Sequence, residues 1–489
     1  MTSWTSIELT VGEDDGAESA PTLVFAANGD LFAPDALRDR VAAGIGVATF
    51  EAKPGRWLDL VGVDGQRIVV VAIGAEDSDD RWRSAGGHVV DALRGLQLTA
   101  ARLPSAEDSG IDQSVVDFLE GVLLHGFRLD QGRREVVPGH FSSTLLIAKG
   151  DAAQADQARM RADPVNRARA WVERPANLLT PAIFADEAAD ALVPLGVTVR
   201  LLGPTELEAI GAGGILAVAA GSDNEPRLTI AEWRGAPDRD GWDAAFVGKG
   251  LTFDAGGLNL KPRPGIAKMK FDMGGGAAVL GAIERLALRK AAVNIVAIVP
   301  MCENNIDGKA YRPGDVITSL AGLTIDVQDT DAEGRIVLAD GVTYAIREYD
   351  PGVIVDVATL TGMIMGVLHE DFAGLFTSDD ALAASLTAAG AETDEALWRL
   401  PLTASMDYLV ESPVADVSNL GAPGWFGMGT GSPVAGAKFI EKFAEGRRWA
   451  HLDIAGTGWA SRRSSRCGPG ATGFGVALLD RWADLAAGA

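Results

Sequence analysis

The sequence predicts an α/β protein of two domains, from its length, its composition and the order of its apolar runs. Its 489 residues suffice for two or three domains of ordinary size. Hydrophobic residues make up 47% of the chain and charged residues 22%, proportions typical of a folded protein rather than a disordered one. Short runs rich in Val, Leu and Ile alternate with stretches of helical periodicity, and this alternation is typical of α/β domains.

Residues 1–165 form the predicted N-terminal α/β domain. Its strands are predicted from apolar runs at Thr22–Ala27, Arg67–Gly74 and Ser143–Lys149. Its helices are predicted where apolar residues recur at steps of three and four, at Trp82–Leu96 and Ser114–Arg128. Residues 151–170 are polar and rich in alanine, which predicts a connecting helix and places the boundary near residue 165.

Residues 166–489 form the predicted second domain, also α/β. It begins with a helix start at Thr180-Pro181, a capping residue followed by a proline at the first helical position. Two later helices end in basic residues, which suits the negative end of the helix dipole, at Ala277–Arg289 and Arg335–Arg347. Apolar runs predict strands at Val197–Leu202, Ile215–Ala219, Arg227–Trp233, Ala244–Val247, Asn294–Val299, Val353–Val357 and Ala450–Ile454.

The charge and cysteine content exclude several function classes. With 67 acidic and 43 basic residues the net charge is -24, so we expect no binding of nucleic acid and none of an anionic membrane. Cys302 and Cys467 cannot form a disulfide framework or a zinc finger. The N-terminal residues lack the pattern of a signal peptide, and no apolar run approaches the ~20 residues of a membrane span. We therefore expect a soluble, cytoplasmic protein.

Three segments carry charges within apolar, glycine-rich sequence: 247–261, 269–276 and 329–335. Lys249 and Asp254 follow a predicted strand, and ligand sites of α/β sheets lie beyond the carboxyl ends of strands. The glycine-rich segment Gly427–Gly431 predicts only a flexible loop, because a phosphate-binding loop requires a preceding strand and a lysine-Ser/Thr pair.

Four acids in these segments could form a metal site if they converge: Asp254, Asp272, Asp331 and Glu333. Carboxylates gathered without cations repel one another, and divalent metals relieve this repulsion. Shared carboxylates support two-metal sites, and Mn, Mg or Zn accept oxygen ligands. Each segment alone is equally compatible with a solvated turn or an acidic first helical turn, and spacing does not establish convergence.

The segments resemble the leucyl aminopeptidase family, the two-metal aminopeptidases of the M17 type. Asp329–Arg335 (DTDAEGR) is similar to the family signature NTDAEGR, and Val247–Lys261 and Met269–Gly275 match two further family patterns. Similarity extends to Tyr311–Val316, Asp356–Gly362 and His451–Gly456, so that it covers essentially residues 165–489.

The resemblance implies a role for each matching residue. Asp254, Asp331 and Glu333 would bind the more readily exchanged metal ion. The tighter ion would be bound by Lys249 together with Asp254, Asp272 and Glu333. Lys261 would polarise the scissile carbonyl, and Arg335 would hold a bicarbonate general base with the backbone of Gly334 and Leu360. The pocket for the first side chain of the substrate would be lined by Met269, Thr359 and Gly362.

The resemblance also implies a fold, an activity and partners. The fold would be a three-layer, macro-like N-terminal α/β domain and a catalytic domain with a mixed central sheet flanked by helices. The activity would be that of a leucyl aminopeptidase with two Mn or Zn ions and bicarbonate, acting on peptides with a free N-terminus. The family forms hexamers, and we expect a homohexamer. A two-metal phosphoesterase and a binding or regulatory role are the alternatives.

Two residues depart from the family pattern. Asp329 replaces the usual asparagine, and Ala255 stands where serine or threonine is common. Asp329 could add a negative charge beside the metals and shift metal preference or pH optimum, or it could face solvent. His451, in a predicted strand, is interpreted as a structural hydrogen-bonding residue rather than a metal ligand.

Overall fold

The computed structural model describes residues 4–5, 7–12, 20–27, 30–62, 65–73, 81–109, 114–129, 143–421 and 432–487. The chain divides into two compact units. One comprises residues 2–166 and 461–469, and the other residues 167–460 and 470–489. The predicted loop Gly427–Gly431 lies outside the described residues. Among the described residues no helix is both long and apolar enough to cross a membrane.

The first unit contains a sheet with helices on both faces. Val24 and Ala26 pack with Val41 of the helix Asp35–Ala48, whereas Phe25, between them, makes edge contacts with Trp82 and Phe118. Successive strand residues point to opposite faces of a sheet, so these contacts place helices on both sides. The predicted three-layer α/β arrangement is therefore confirmed.

The strands of this unit are mostly parallel. In spatial order they are Glu8–Gly12, Thr144–Ala148, Ala100–Arg102, Thr22–Ala27, Arg67–Ala72 and Trp57–Val61, of which the last is antiparallel to its neighbour; Asp30–Phe32 pairs antiparallel with Thr22–Ala27. The described helices are Asp35–Ala48, Arg81–Gly95, Ala106–Ser109, Val115–Gly126 and Ala152–Glu173, the last continuing into the second unit. A short pair joins Trp4–Thr5 to Arg128–Leu129.

The second unit is built on a mixed sheet. Its strands, in spatial order, are Thr198–Leu202, Arg227–Arg234, Asn294–Asn304, Ala244–Gly248, Ile354–Ala358, Trp449–Asp453, Ala373–Phe376 and Leu397–Arg399, and Gly250–Asp254 also pairs with Asn294–Asn304. From Asn294–Asn304 to Trp449–Asp453 the strands are parallel, and antiparallel strands flank them on both sides. The predicted mixed central sheet is confirmed.

Helices cover both faces of this sheet too. Val247 joins the core cluster around Val337 and Leu338, whereas its neighbour Phe246 contacts Trp482 with ring centroids 6.0 Å apart. The described helices are Pro181–Leu192, Pro204–Ile210, Gly213–Ala219, Arg263–Ile266, Gly274–Leu288, Gly334–Tyr349, Ile364–Leu368, Asp380–Glu392, Pro433–Phe443 and Val476–Ala487. Two smaller sheets consist of Val316–Thr318, Thr324–Asp326 and Val417–Ser418, and of Trp459–Ala460 and Gly470–Ala471.

One predicted strand is wrong. Ile215–Ala219 belongs to the helix Gly213–Ala219, whose first turn donates the Ile215 N–H to Asp340 Oδ2 at 2.9 Å. A short apolar run fits a buried helix as well as a buried strand. Asp340, 125 residues away in sequence, favours the helix because a carboxylate stabilises a helix N-terminus.

Candidate metal centre

The predicted site residues come together at the carboxyl ends of the parallel strands. Lys249 follows Ala244–Gly248, and Asp254 ends Gly250–Asp254. Asp272 precedes the helix Gly274–Leu288, and Glu333 caps the helix Gly334–Tyr349. Carboxyl ends of parallel strands share one edge of a sheet, which explains why segments distant in sequence meet here.

A glycine-rich helix start brings Asp272 close to Lys249. A Cβ on Gly275 would lie 1.9 Å from the backbone oxygen of Val357, so a side chain at this position would force the helix away from the sheet. The Gly276 N–H donates to the Lys249 carbonyl at 2.7 Å. Close approach of this helix to the strand ends therefore depends on the absence of a side chain.

Three carboxylates form a compact buried cluster. Oxygen atoms of Asp254, Asp272 and Glu333 lie within 4.8 Å of one another, and the side chains are nearly inaccessible to solvent. Asp331 lies at the rim, and its side chain is 30% exposed. Asp331 is the most accessible of the four acids that the sequence analysis considered.

Two lysines pair with these acids at different depths. Lys249 is buried at the base, with Nζ 2.7 Å from Asp272 Oδ2, 2.8 Å from Glu333 Oε1 and 3.3 Å from the Thr359 carbonyl. Lys261 lies at the rim, with Nζ 2.7 Å from Asp254 Oδ2 and also paired with Asp331. The Lys261 side chain is 17% exposed and that of Lys249 2%, so of the two lysines only Lys261 is accessible to solvent.

Burial and charge perturb the pKa values of the acids. Burial raises the pKa of Asp272 to about 8 and that of Asp331 to about 7, although lysines oppose the shift. Burial and Glu333 together raise the pKa of Asp254. Burial would also raise the pKa of Glu333, but Lys249 and Lys261 outweigh it and hold that pKa below its usual value.

For the lysines, burial and the neighbouring charges have opposite effects on the pKa. Burial would lower the pKa of Lys249, but Asp272 and Glu333 outweigh it and raise that pKa. Burial would lower the pKa of Lys261, but the neighbouring carboxylates outweigh burial and raise that pKa. Asp254 makes the largest contribution among them. The carboxylates therefore favour the ammonium form of both lysines, and the lysines in turn offset part of the acidic charge.

The residues present fit divalent cations. Glu333 Oε2 is buried and has no hydrogen-bond donor among the described residues, so one lone-pair direction in the cluster is left for another ligand. Asp254 Oδ1 accepts from the Gly256 N–H at 2.8 Å and from Asn304 Nδ2 at 2.9 Å, which fixes the orientation of its carboxylate. Hard oxygen donors in a charge-rich pocket are the ligands that Mn and Mg prefer, and Zn also accepts them.

Arg335 is buried next to this cluster. Its Nη1 donates to the Asn419 carbonyl at 2.9 Å, and its Nε has no partner among the described residues. Burial lowers the pKa of Arg335 to about 10, so the side chain stays a cation. The Leu360 N–H, predicted to contact bicarbonate, donates to Asp453 Oδ1 at 3.2 Å in this structure.

The three predicted pocket residues differ in environment. Met269 is half-buried, and Gly362 is exposed. Thr359 is buried, and its Oγ1 donates to Asp272 Oδ1 at 2.8 Å. Thr359 therefore orients a predicted metal ligand, a contact that the sequence did not indicate.

The departing residue Asp329 is half-buried and has a local role. Its Oδ1 accepts the Asp331 N–H at 2.8 Å, as an asparagine oxygen could do equally. Ala255 is buried, and its backbone oxygen accepts the Lys261 N–H at 3.0 Å. His451 Nδ1 lies 2.6 Å from Asp356 Oδ1.

Several residues of the site were missed by the sequence reasoning. Asn304 joins Asp254 to the Thr330 carbonyl, donating to each at 2.9 Å. Asp453 holds the loop after Ile354–Ala358, accepting the Thr361 hydroxyl at 2.5 Å. Two of them carried a signal in the sequence: Asn304 ends a long apolar strand, and Asp453 lies within the family-like segment His451–Gly456. Asn419 carried none.

Comparison with known proteins agrees with this geometry. The model of the cytosol aminopeptidase family catalytic domain matches residues 166–480, and that of its N-terminal domain matches residues 23–135. A probable cytosol aminopeptidase of Allorhizobium ampelinum is 40% identical over 455 residues, covering 90% of each chain. One of Methylobacterium radiotolerans is 38% identical over 489 residues, covering 96% of this chain and 93% of that one.

A solved structure is similar over almost the whole chain. The bottromycin maturation enzyme BotP in complex with Mn superposes with a TM-score of 0.82 at 30% identity, covering 96% of this chain and 100% of that one. The resemblance inferred from the sequence motifs is thus confirmed. The chain belongs to the cytosol aminopeptidase family, whose members are metal-dependent aminopeptidases.

Proposed function

We propose that the protein removes the N-terminal residue from peptides, with a preference for Leu and other apolar residues, using two divalent ions and a bicarbonate base. The observation that carries the proposal is the buried cluster of Asp254, Asp272 and Glu333, with an unpartnered Glu333 oxygen and with Lys261 at its rim. Family membership favours a peptidase over a phosphoesterase or a purely binding role.

The proposed ligand sets follow the depth of the residues. Asp254, Asp331 and Glu333 would hold the exchangeable ion, which suits the partly exposed position of Asp331. Lys249, Asp254, Asp272 and Glu333 would hold the tighter ion at the base of the site. Lys249 would bind as a neutral amine, because a nearby dication depresses the pKa of the ammonium. Bound there, Mn or Zn ions would supply an acidified water and a Lewis acid.

Lys261 would stabilise the developing negative charge on the scissile carbonyl oxygen. Its ammonium is already oriented by Asp254 and Asp331 and is partly open to solvent. A preorganised cation at the position where charge develops is usually a large contribution to catalysis. The pocket for the first side chain would be formed by Met269, Thr359 and Gly362.

Arg335 would hold bicarbonate, together with the backbone of Gly334 and Leu360. The free Nε of this buried cation supports an anion at this position, because a buried polar group normally has a partner. Bicarbonate bound there would supply a general base. Arg335 itself would orient the anion and offset its charge.

The test is hydrolysis of leucine p-nitroanilide by the purified chain. We expect cleavage that chelation abolishes and that Mn or Zn restores, with metal content measured alongside. The matched control is the N-acetylated substrate, which lacks the free amine and should be resistant. Absence of metal-dependent cleavage, or equal cleavage of the acetylated substrate, would contradict the proposal.

A cytoplasmic homohexamer is part of the same proposal. The names of the relatives support the location, and the family resemblance supports the assembly. Light scattering coupled to size-exclusion chromatography measures the mass directly. A monomeric mass of 51.0 kDa would contradict the hexamer without affecting the proposed chemistry.

A further inference from the structure

A buried asparagine far along the chain holds the segment that carries two proposed metal ligands. Asn419 follows the strand Val417–Ser418 and is fully buried. Its Oδ1 accepts the N–H groups of Gln328 at 2.8 Å and of Asp329 at 3.3 Å. Its Nδ2 donates to the carbonyls of Asp329 at 2.6 Å and of Ala332 at 3.3 Å. One amide group therefore fastens both ends of residues 328–332.

The fastened segment leads directly into the metal centre. Asp331 lies between the two carbonyls that Asn419 binds, and Glu333 follows the second of them. The backbone oxygen of Asn419 also accepts from Arg335 Nη1. The same residue thus contacts the backbone around the acids and the side chain of the proposed anion-binding arginine.

We propose that Asn419 is a positioning residue for the metal centre, acting through the backbone of residues 328–332. The inference rests on the proposed function. Hydrogen bonds that orient metal ligands commonly contribute 10–100-fold to metal affinity. Asp331 is assigned only to the exchangeable ion, so loosening this segment should weaken that ion more than the tighter one.

The test is a calorimetric titration in which Mn alone is added to the metal-free full-length chain. For Asn419→Ala we expect the weaker Mn site to lose about 10–100-fold in affinity, with a smaller change at the tighter site. Because the loss is one of affinity, kcat should recover partly as Mn is raised, whereas KM measured at saturating Mn should change little.

Asn294→Ala is the matched control. Asn294 is also a buried asparagine that closes a loop, accepting the Ala236 N–H at 3.1 Å and donating to the Ala236 carbonyl at 3.0 Å. It begins the strand Asn294–Asn304, and the site lies at the other end of that strand. Its loss should lower the melting temperature and leave both Mn affinities unchanged.

Asn419→Asp serves if the alanine variant does not fold. It keeps the volume and both acceptor contacts but turns a carboxylate oxygen toward the carbonyls of Asp329 and Ala332, so the weaker Mn site should again lose affinity. Wild-type Mn affinities in Asn419→Asp or Asn419→Ala would overturn the inference, as would an equal loss in Asn294→Ala. A wild-type chain that binds neither Mn nor Zn would overturn the proposed function itself.

Discussion

Replacing Gly334 with alanine should damage the metal centre although alanine is the better helix former. Gly334 is the first residue of the helix Gly334–Tyr349. A Cβ there would lie 2.5 Å from Lys249 Cε and 2.6 Å from Nζ, so the lysine would have to retreat by about 1 Å to reach van der Waals contact. Lys249 Nζ is held by Asp272 Oδ2 at 2.7 Å and by Glu333 Oε1 at 2.8 Å. Its side chain is buried, so it cannot move out into solvent.

The opposing effects on stability differ in size. The helix preference for alanine over glycine is worth at most about 1 kcal/mol, whereas overpacking a buried site costs about 1–3 kcal/mol. We therefore expect a loss of about 0–2 kcal/mol in unfolding free energy. A shift of Lys249 would also displace Asp272 and Glu333, the two proposed ligands that it contacts. We therefore expect Mn affinity at the tighter site to fall about 10–100-fold.

Urea denaturation and Mn calorimetry measure the two effects separately. Gly341→Ala is the control in the same helix, since its Cβ would meet only apolar atoms, with Val247 Cγ1 at 2.9 Å. That variant should lose stability and keep its Mn affinity. If Gly334→Ala binds Mn as tightly as wild type, the steric reasoning about Lys249 is refuted.

Three further variants test other parts of the site. Lys261→Ala should lower kcat by about 10²–10³-fold while the chain retains its metal content, and near-normal turnover would contradict its assigned role. Asp453→Ala leaves the buried Thr361 hydroxyl and nearby N–H groups without their acceptor, so urea unfolding should show a loss of about 2–5 kcal/mol; an unchanged midpoint would be inconsistent with these contacts. Burial would lower the pKa of His451, but the charge and hydrogen bond of Asp356 outweigh burial and raise that pKa. The stabilisation from this pair is complete below about pH 6.5 and declines as pH rises through the raised pKa, so His451→Gln should flatten that part of the stability profile.

Much of the fold was readable from the sequence because buried parallel strands are continuous apolar runs. Thr22–Ala27 was predicted to the residue, and Asn294–Asn304 was found although it extends five residues beyond the predicted end. Ile215–Ala219 was predicted wrongly, because its state is decided by Asp340 and by close packing of the preceding glycines. Such contacts lie outside any local window.

The site was less accessible to sequence reasoning. The types and spacing of the acids suggested a metal site, but only the family motifs assigned individual roles. The residues that orient the acids were not predicted, because their hydrogen-bond partners are remote in sequence. Asn419 binds backbone about 90 residues away, and Asn304 binds Asp254 across 50 residues. Amide side chains in a loop or at a strand end have no distinguishing pattern until those partners are known.

The pairing of Lys249 and Lys261 with the carboxylates gives the buried acids counter-charges that belong to the chain itself. Each ammonium joins two acids, so the polypeptide can close around its own charges before any ion arrives. A structural zinc site, by contrast, commonly requires its ion in order to fold. We therefore expect removal of metal to abolish the proposed activity without unfolding the chain.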